Sequence, residues 1–586
     1  MQCWAKNLLE NATKSIKVSR DMSTSAQDLE KKKRLKRTLN LSNIPNISEF
    51  IAGSSTKLPL GADAQCVNGV ENPPYVRSDI HDLSVFPHQG TVYFETYGCQ
   101  MNVNDSEYAW AILKNAGYSK VDLKEHADVI MLVTCSIREK AEEKIWQRLK
   151  QLKGLKTKSS NHDFPKLCVL GCMAERLKTK IFKSENAVDI IAGPDAYRDL
   201  PRLLHHATNN GTSAINTMLS VDETYADIMP VRFDSHSKTA FVSIMRGCDN
   251  MCSYCIVPFT RGRERSRPIE SIVQEVRMLS DQGIKQVTLL GQNVNSYRDL
   301  SKISFVNETP STMSKGFNSI YKPKLGGLRF ANLLEEVSKV DPDMRVRFTS
   351  PHPKDFPDEV LQVISDNANI CNQIHLPAQS GSSNVLKAMR RGHTIEDYVN
   401  LVERIRHFLP DVSLSTDMIS GFCGESDEDH AASVKLMNDI KYNFAFLFKY
   451  SMRKKTHAYH KMKDDVPETL KQKRLVEVID AYNDNLRAAN FKYVGETQLV
   501  LIEKISPRSS SHWLCRNDGN IRVIIPCKPL PSCDNGNVLT ETKPGDYVAV
   551  RLDSYHPNTY QATPLYITSI SMYASIKKPT LMACQL

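Results

Sequence analysis

The length, composition and charge of the chain exclude several classes of protein. At 586 residues it is too long for one ordinary hydrophobic core, which predicts roughly three or four folded units plus extensions. No apolar run reaches the roughly 18 to 20 residues that cross a bilayer, so we predict no membrane span. The net charge of +10 favours a polyanionic partner such as a nucleic acid, although basic enzymes without one exist. The 15 cysteines are unevenly clustered, which favours a reducing compartment and metal ligation over a disulfide framework.

Residues 1–90 are predicted to be an extension without a core of its own. They are rich in Ser, Asn, Lys and Pro and show no sustained apolar period. No long apolar stretch precedes a cleavage site, which argues against a secretory signal. The basic residues fit either a mitochondrial targeting segment or a disordered tail, so we expect a mitochondrial protein or otherwise a cytoplasmic one.

Three cysteines end three successive β-type runs within residues 91–215. Each run is followed by a stretch with helical period. The runs are Val92–Cys99, Val129–Cys135 and Leu167–Cys172. The alternation predicts a parallel α/β domain, in which ligands bind beyond the carboxyl ends of the strands. These thiols, the first cysteine group, could converge on one ion cluster; the alternative is three half-buried structural cysteines.

Residues 234–490 are predicted to form a second α/β domain with six strands, most of them separated by helical stretches. The strand candidates are Ala240–Ile244, Gln286–Leu290, Arg345–Thr349, Ile374–Leu376, Ser413–Met418 and Phe444–Phe448. Six strand–helix units predict a full or partial parallel barrel, with its chemistry at the strand carboxyl ends. Residues 301–327, rich in Ser, Thr, Lys and Pro, are predicted to be a surface insertion.

Short β-type runs broken by turn residues fill residues 491–570. The runs are Thr497–Ile502, Ile521–Ile525 and Tyr547–Leu552. This pattern predicts a small β-barrel or sandwich, which could bind RNA or be purely structural. Residues 571–586 are predicted to be a tail. The expected fold class is therefore α/β, with an N-terminal parallel domain, a central partial barrel and a C-terminal small β-barrel.

The sharpest motif is a loop with three cysteines directly after the strand candidate Ala240–Ile244. Cys248, Cys252 and Cys255, the second cysteine group, are separated by three and then two residues. Structural zinc takes four ligands, and no further Cys or suitable His pair lies just beyond the loop. Three thiolates suit a 4Fe-4S cluster with one open iron, although a zinc site is the alternative.

This spacing resembles the radical S-adenosylmethionine superfamily. The resemblance implies that the open iron chelates S-adenosylmethionine, whose sulfonium is split by an electron from the cluster to give a 5′-deoxyadenosyl radical. It implies in addition a reducing electron-transfer protein as partner.

The whole region from about Thr91 to Thr568 is similar to the methylthiotransferases of the MiaB class, and most similar to their eukaryotic mitochondrial branch. The motifs that carry this similarity include Thr96-Tyr-Gly-Cys99-Gln-Met-Asn102 and Gly171-Cys172-Met-Ala174. The resemblance implies that the first cysteine group holds a second 4Fe-4S cluster, which carries the sulfur, and that two S-adenosylmethionine molecules are used per turnover. Three departures are Val133 for the usual Asn, Cys423 for Pro, and the missing glycine before Thr456.

The resemblance implies a transfer RNA substrate. The expected reaction converts isopentenyladenosine at position 37, 3′ of the anticodon, into its 2-methylthio derivative in support of mitochondrial translation. The C-terminal domain resembles a TRAM domain and is expected to bind the anticodon stem-loop. Two alternatives stay open: methylthiolation of threonylcarbamoyladenosine, and a non-catalytic role as regulatory partner of a kinase activator. A monomer is expected, and a kinase regulatory subunit is a further candidate partner.

Further site residues are expected on loops and strand ends. Arg261, Arg263, Arg265 and Arg267 follow the second cysteine group and are candidates for the RNA channel, with a solvated or salt-bridged loop as the alternative. Polar groups at the ends of strands are candidates for contacts with S-adenosylmethionine. They are Gln292, Asn293 and Asp417. Cys423, Cys168, Cys371 and Cys515 are expected to be small buried thiols.

Overall fold

A computed structural model describes residues 90–137, 139–158, 165–209, 211–301, 313–317, 326–533, 538–556 and 558–583. The predictions for residues 1–89 and for most of the insertion at 301–327 therefore lie outside the described residues. None of the helices in the described ranges is long and apolar enough to cross a membrane.

The N-terminal part is a parallel sheet, as predicted, and it has six strands. Its strands lie in the order β2-β1-β3-β4-β5-β6, with helices on both faces and one apolar core under each face. The central strand β3 is wholly buried because all six of its residues face helices, which explains its unbroken apolar run. The elements are β1 Thr91–Thr96, α1 Gln100–Asn115, β2 Ser119–Lys120, β3 Val129–Thr134, α2 Glu139–Lys158, β4 Lys166–Gly171, α3 Cys172–Leu177, α4 Lys180–Ser184, β5 Ile190–Ala192, α5 Leu200–Asn209 and β6 Ala214–Asn216.

The central part is a partial parallel barrel, also as predicted. Six of its strands form two three-stranded sheets, ordered β13-β10-β7 and β14-β15-β16. An isolated parallel bridge pairs Val346 of β13 with Ile370, three residues before β14. The elements are β7 Thr239–Ser243, β8 Met245–Arg246, α6 Val257–Thr260, β9 Arg265–Ser266, α7 Ile269–Asp281, β10 Gln286–Leu290, β11 Arg298–Asp299, β12 Leu328–Arg329, α8 Phe330–Ser338, β13 Arg345–Phe348, α9 Asp358–Asp366, β14 Gln373–His375, α10 Ser383–Ala388, α11 Ile395–Phe408, β15 Ser413–Ser420, α12 Asp427–Ile440, β16 Phe444–Lys449, α13 His457–Lys461 and α14 Glu468–Phe491.

The C-terminal part is a closed barrel of five strands in the order β17-β18-β19-β23-β22. Two of these strands, β18 and β23, were not among the predicted runs, and the predicted tail begins with a helix. The barrel is fixed to the central domain by two buried arginines of β13: Arg345 donates to the Leu499 carbonyl at 2.7 Å and Arg347 to the Asn517 carbonyl at 2.8 Å. The elements are β17 Thr497–Ser506, β18 Ser509–Asn517, β19 Arg522–Pro526, β20 Leu530–Pro531, β21 Leu539–Thr540, β22 Tyr547–His556, β23 Thr559–Thr568 and α15 Ile570–Ala583.

Candidate functional site

The first cysteine group lies at the carboxyl edge of the N-terminal sheet. Cys99 precedes α1, Cys135 follows β3 directly, and Cys172 is the first residue of α3. These three positions lie together because β1, β3 and β4 are parallel neighbours whose ends meet at one edge.

Two glycines allow the three loops of the first cysteine group to approach one another. Gly98 has a φ of +113°, and a Cβ at this position would lie 2.6 Å from the Cβ of Cys135. Gly171 has a φ of +91°, and its Cβ would lie 2.8 Å from the carbonyl oxygen of Thr134. A side chain at either position would push the loops apart, so the sequence needs glycine at both.

A guanidinium from the central domain reaches the first cysteine group. Arg261 Nε donates to Cys172 Sγ at 3.3 Å, and Arg261 Nη2 donates to Asp105 Oδ2 at 2.7 Å and Asn102 Oδ1 at 2.9 Å. Burial raises the pKa of Cys172 to about 12, and the positive charge of Arg261 opposes this rise while the thiols of Cys135 and Cys99 add to it. The arginine thus favours the thiolate form that a metal cluster requires.

The second cysteine group lies on one loop after β8. Cys248 and Cys252 are buried and Cys255 is half-buried. The loop begins at Gly247, which has a φ of +75° and whose N–H donates to Gln292 Oε1 at 2.5 Å. Gln292 therefore contacts the backbone of the cysteine loop.

The thiol chemistry of both groups fits an iron–sulfur cluster. No set of three or more His, Cys, Asp or Glu side chains within the described ranges has the spacing of ligands that share a single metal ion. A cubane cluster is larger than one ion, so its thiolates stand further apart than such ligands do. Burial is the main cause that raises the pKa of Cys255, to about 12, and the nearby thiol of Cys252 acts in the same direction.

The other predicted cofactor contacts already have protein partners. Asn293 is buried, donating through Nδ2 to Asp355 Oδ2 at 3.0 Å and accepting from the His352 N–H at 3.1 Å. Asp417 lies on β15 with 30% of its side chain exposed, and its Oδ2 is 3.5 Å from His375 Nε2. Asp417 is therefore more accessible to a ligand than Asn293 is.

Three of the four arginines predicted for the RNA channel are buried in ion pairs. Arg261 pairs with Asp105, Arg265 pairs with Asp195 at 2.9 Å, and Arg267 pairs with Glu275 at 2.6 Å. Their side chains are at most 4% exposed, so they do not face an RNA phosphate. Burial and ion pairing favour the salt-bridge alternative over the RNA-channel interpretation for Arg261, Arg265 and Arg267.

Arg263 differs from the other three arginines. Its side chain is 64% exposed and stands 3.6 Å from Asp249. Among the four, it alone presents its guanidinium to solvent, so it stays a candidate for contact with a nucleic acid.

The sequence did not reveal the central role of Asp105. This carboxylate is fully buried on α1 and accepts from Arg246 at 2.8 Å as well as from Arg261. Arg246 also lies over the Tyr225 ring, 4.5 Å from its centroid. These contacts join the N-terminal domain to the loops around the second cysteine group. No feature of the sequence singles out Asp105 among the five buried polar residues of α1, which are Asn102, Asn104, Asp105, Ser106 and Glu107.

Cys423, at the position where proline was expected, is buried. It packs in a small apolar cluster with Val385, Met389, Phe422 and Tyr450. Cys168, Cys371 and Cys515 are buried as well. These four cysteines therefore lie where small apolar side chains normally pack.

Known families and proteins match almost all of the residues that the structure describes. Family models match residues 91–193 (uncharacterized protein family UPF0004), residues 242–437 (radical SAM superfamily) and residues 492–565 (TRAM domain). The mitochondrial tRNA methylthiotransferase CDK5RAP1 of Homo sapiens is 56% identical over 513 residues, which covers 85% of this chain and 84% of the human protein. The Mus musculus protein of the same name is 52% identical over 571 residues, covering 97% and 95% of the two chains.

A bacterial relative carries a more specific name. The tRNA-2-methylthio-N(6)-dimethylallyladenosine synthase of Chloroherpeton thalassium is 50% identical over 438 residues, which covers 74% of this chain and 90% of the bacterial one.

Proposed function

The chain belongs to the family of mitochondrial tRNA methylthiotransferases, and on that premise we propose that its two cysteine groups hold two 4Fe-4S clusters that act together on one adenosine. It is a radical S-adenosylmethionine transferase of the mitochondrion that carries an iron–sulfur cluster and modifies tRNA. The proposed ligands are Cys99, Cys135 and Cys172 for the auxiliary cluster and Cys248, Cys252 and Cys255 for the radical cluster.

One contact supports this proposal above all others. Arg261 lies six residues after Cys255 and donates to the thiol of Cys172. The loop that bears the second cysteine group is therefore tied directly to the first group. Two sites joined in this way can serve a single substrate atom.

The substrate is isopentenyladenosine at position 37 of tRNA, which becomes its 2-methylthio derivative. The dimethylallyladenosine in the name of the bacterial relative supports this choice over threonylcarbamoyladenosine. The names of all these relatives describe enzymes, which disfavours a purely regulatory role next to a kinase activator.

The chain's own residues position and shield the reaction. When bound, one cluster with S-adenosylmethionine would supply a radical for the removal of hydrogen from adenine C2, and the other would supply the sulfur; two S-adenosylmethionine molecules would be used per turnover. Burial of Cys135, Cys172, Cys248 and Cys252 keeps water away from both sites. Asp417 is the best placed of the three candidate contacts for S-adenosylmethionine, because Gln292 and Asn293 already bind protein groups.

The TRAM domain gives the chain an RNA-binding module. We propose that this module holds the anticodon stem-loop, that Arg263 contacts RNA, and that a monomer works with a reducing electron-transfer protein. The proposed units are residues 91–215, 234–490 and 491–570, after an extension at 1–90 and before a tail at 571–586.

The direct test uses reconstituted protein under anaerobic, reducing conditions. With S-adenosylmethionine and an isopentenylated anticodon stem-loop, we expect the mass increase of one methylthio group and about eight iron atoms per chain. Stem-loops with unmodified or threonylcarbamoylated adenosine are the controls and should stay unchanged. Stoichiometric zinc without iron, or an unmodified isopentenylated stem-loop, would contradict the proposal.

Gly247 provides a further test of the second cysteine group. A Cβ at this position would lie 2.0 Å from the carbonyl oxygen of Arg263, on a backbone with a φ of +75°. We therefore expect Gly247→Ala to displace the cysteine loop and lose about half of the iron, measured by metal analysis.

Gly495 offers a matched control for this variant. Its φ is +95°, but nothing lies within 4 Å of an added Cβ. Gly495→Ala therefore carries a similar backbone strain without a collision and should keep all of its iron. Equal iron content in the two variants would show that Gly247 does not position the loop.

A further inference from the structure

Five cationic side chains gather where the loop after β16 meets α3 and the start of α4. We call them the interdomain cationic patch: Arg176, Lys178, Lys180, Arg453 and Lys455. Two come from the central domain and three from the N-terminal domain, so the patch exists only when both domains are in place. Nothing in the reaction described above uses it.

The backbone under the patch is strained at two lysines. Lys178 has a φ of 51° and Lys455 a φ of 77°, in the left-handed region that disfavours residues with a Cβ. Both positions favour glycine, so a lysine there keeps a positive charge at the cost of some backbone strain.

The charges of the patch are only partly neutralised. Glu142 pairs with Arg176 and lies 3.5 Å from Arg453, and the buried Glu175 pairs with Lys178 at 3.1 Å. In the part of the chain that the structure describes, these two carboxylates pair with three of the five cations. Arg176 and Arg453 are 9% and 12% exposed, so the exposed charge of the patch comes from Lys178, Lys180 and Lys455. Partial desolvation and the neighbouring charge of Lys178 lower the pKa of Lys455, which indicates that like charges are held close together. Such crowding is unfavourable until a polyanion binds.

The patch lies beside the first cysteine group. Arg176 is four residues after Cys172 on α3, which corresponds to about 6 Å along the helix. Arg453 Nη2 donates to the Ile137 carbonyl at 3.4 Å, two residues after Cys135. A polyanion on this surface would therefore lie next to the proposed auxiliary cluster.

We propose that the interdomain cationic patch binds backbone phosphates of the substrate tRNA, with Lys178 and Lys455 as its main phosphate contacts. This inference rests on the proposed function, since it assigns the RNA of that function to a surface. In this proposal the interdomain cationic patch, and not the buried Arg261, Arg265 and Arg267, is the basic surface close to the reacting base. Because both domains contribute, RNA on the patch would also hold the two cysteine groups together.

The test compares three variants in the full-length, cluster-loaded protein. Lys455→Gly and Lys178→Gly remove a charge and relieve backbone strain together. We expect each to weaken tRNA binding about fivefold and to reduce the slope of log affinity against log salt by about one. The melting temperature should stay the same or rise, since glycine suits the left-handed backbone. Weaker binding by a protein of equal or higher stability is not what a purely structural role predicts.

Lys441→Gly is the matched control. Lys441 is an exposed lysine with a φ of 55° at the end of α12. It precedes β16, whereas Lys455 follows it, so the two lie at opposite ends of a strand about 20 Å long. This variant loses the same charge and gains the same backbone freedom, yet it should bind tRNA like the wild type.

Three outcomes distinguish the alternatives. If Lys455→Gly and Lys178→Gly keep the tRNA affinity and salt slope of an active wild type, the patch does not bind tRNA. The proposed function would stay intact. A wild type that binds tRNA through the patch but never methylthiolates it would overturn the proposed function alone. If the variants bind tRNA normally but lose activity only with a protein reductant and not with a chemical one, the patch binds an acidic electron-transfer protein, and the RNA proposal is wrong.

Discussion

Replacing Cys252 by alanine is expected to abolish both 5′-deoxyadenosine formation and methylthiolation. The change leaves two thiols on the loop of the second cysteine group, too few to hold a cluster with a single open iron. Replacing Cys135 should instead stop methylthiolation while sparing part of the deoxyadenosine, because the second group stays intact. Chromatography of the small-molecule products and mass spectrometry of the stem-loop measure the two effects separately.

Cys168→Ala is the control for these two variants. Cys168 is a fully buried thiol on β4 in the same domain as Cys135, and it is not a proposed ligand. It should keep full iron content and both products, with only a small loss of stability from the missing sulfur. If Cys135→Ala and Cys252→Ala both methylthiolate normally, or if Cys135→Ala loses all deoxyadenosine, the division of roles between the two groups is wrong.

Most strands of the α/β domains could be predicted because they are buried on both faces. Runs such as Val129–Thr134 and Gln286–Leu290 contain mostly apolar residues, and the structure places them within a residue or two of the predicted bounds. The two barrel strands that were missed, β18 and β23, are half-exposed, whereas the missed β5 is buried but only three residues long. Ser509–Asn517 begins with three serines and a histidine, so its pattern resembles a loop until its barrel neighbours are known.

The placement of the first cysteine group at one sheet edge could also be predicted, because each cysteine follows a predicted strand. The ion pairs around these cysteines could not be predicted. Arg261 lies in a run of four arginines that looks like a basic surface, and its partner Asp105 is 156 residues away. Local sequence cannot show that a charged side chain is neutralised by a distant one. Arg263, in the same run, is exposed, so the pattern alone could not separate the two roles.

Asp105→Ala is expected to be the most destabilising single change outside the cysteines. The carboxylate is buried and accepts from Arg246 at 2.8 Å and Arg261 at 2.7 Å. Its removal leaves two buried guanidinium groups without their main counter-charge, which typically costs about 3–5 kcal/mol in the free energy of unfolding. Urea unfolding of the purified variant measures this loss.

The surface pair of Asp122 with Lys120, at 2.7 Å in the same domain, provides the control. Asp122 is 89% exposed, so solvent screens the pair, and Asp122→Ala should unfold like the wild type. Equal unfolding curves for Asp105→Ala and Asp122→Ala would show that the buried ion pairs of Asp105 make no net contribution to the free energy of unfolding.

The Asp105 variant also tests whether the domain interface matters for the reaction itself. Asp105 binds arginines on both sides of the second cysteine group, and Arg261 in turn contacts Cys172. Loss of the contacts between Asp105 and the two arginines should loosen the interface between the two domains. The radical should then still form, but the sulfur should no longer be correctly placed to react. We therefore expect more deoxyadenosine per methylthiolated stem-loop from the folded fraction of Asp105→Ala than from the wild type. An unchanged ratio would mean that Asp105 stabilises the fold without aligning the two sites.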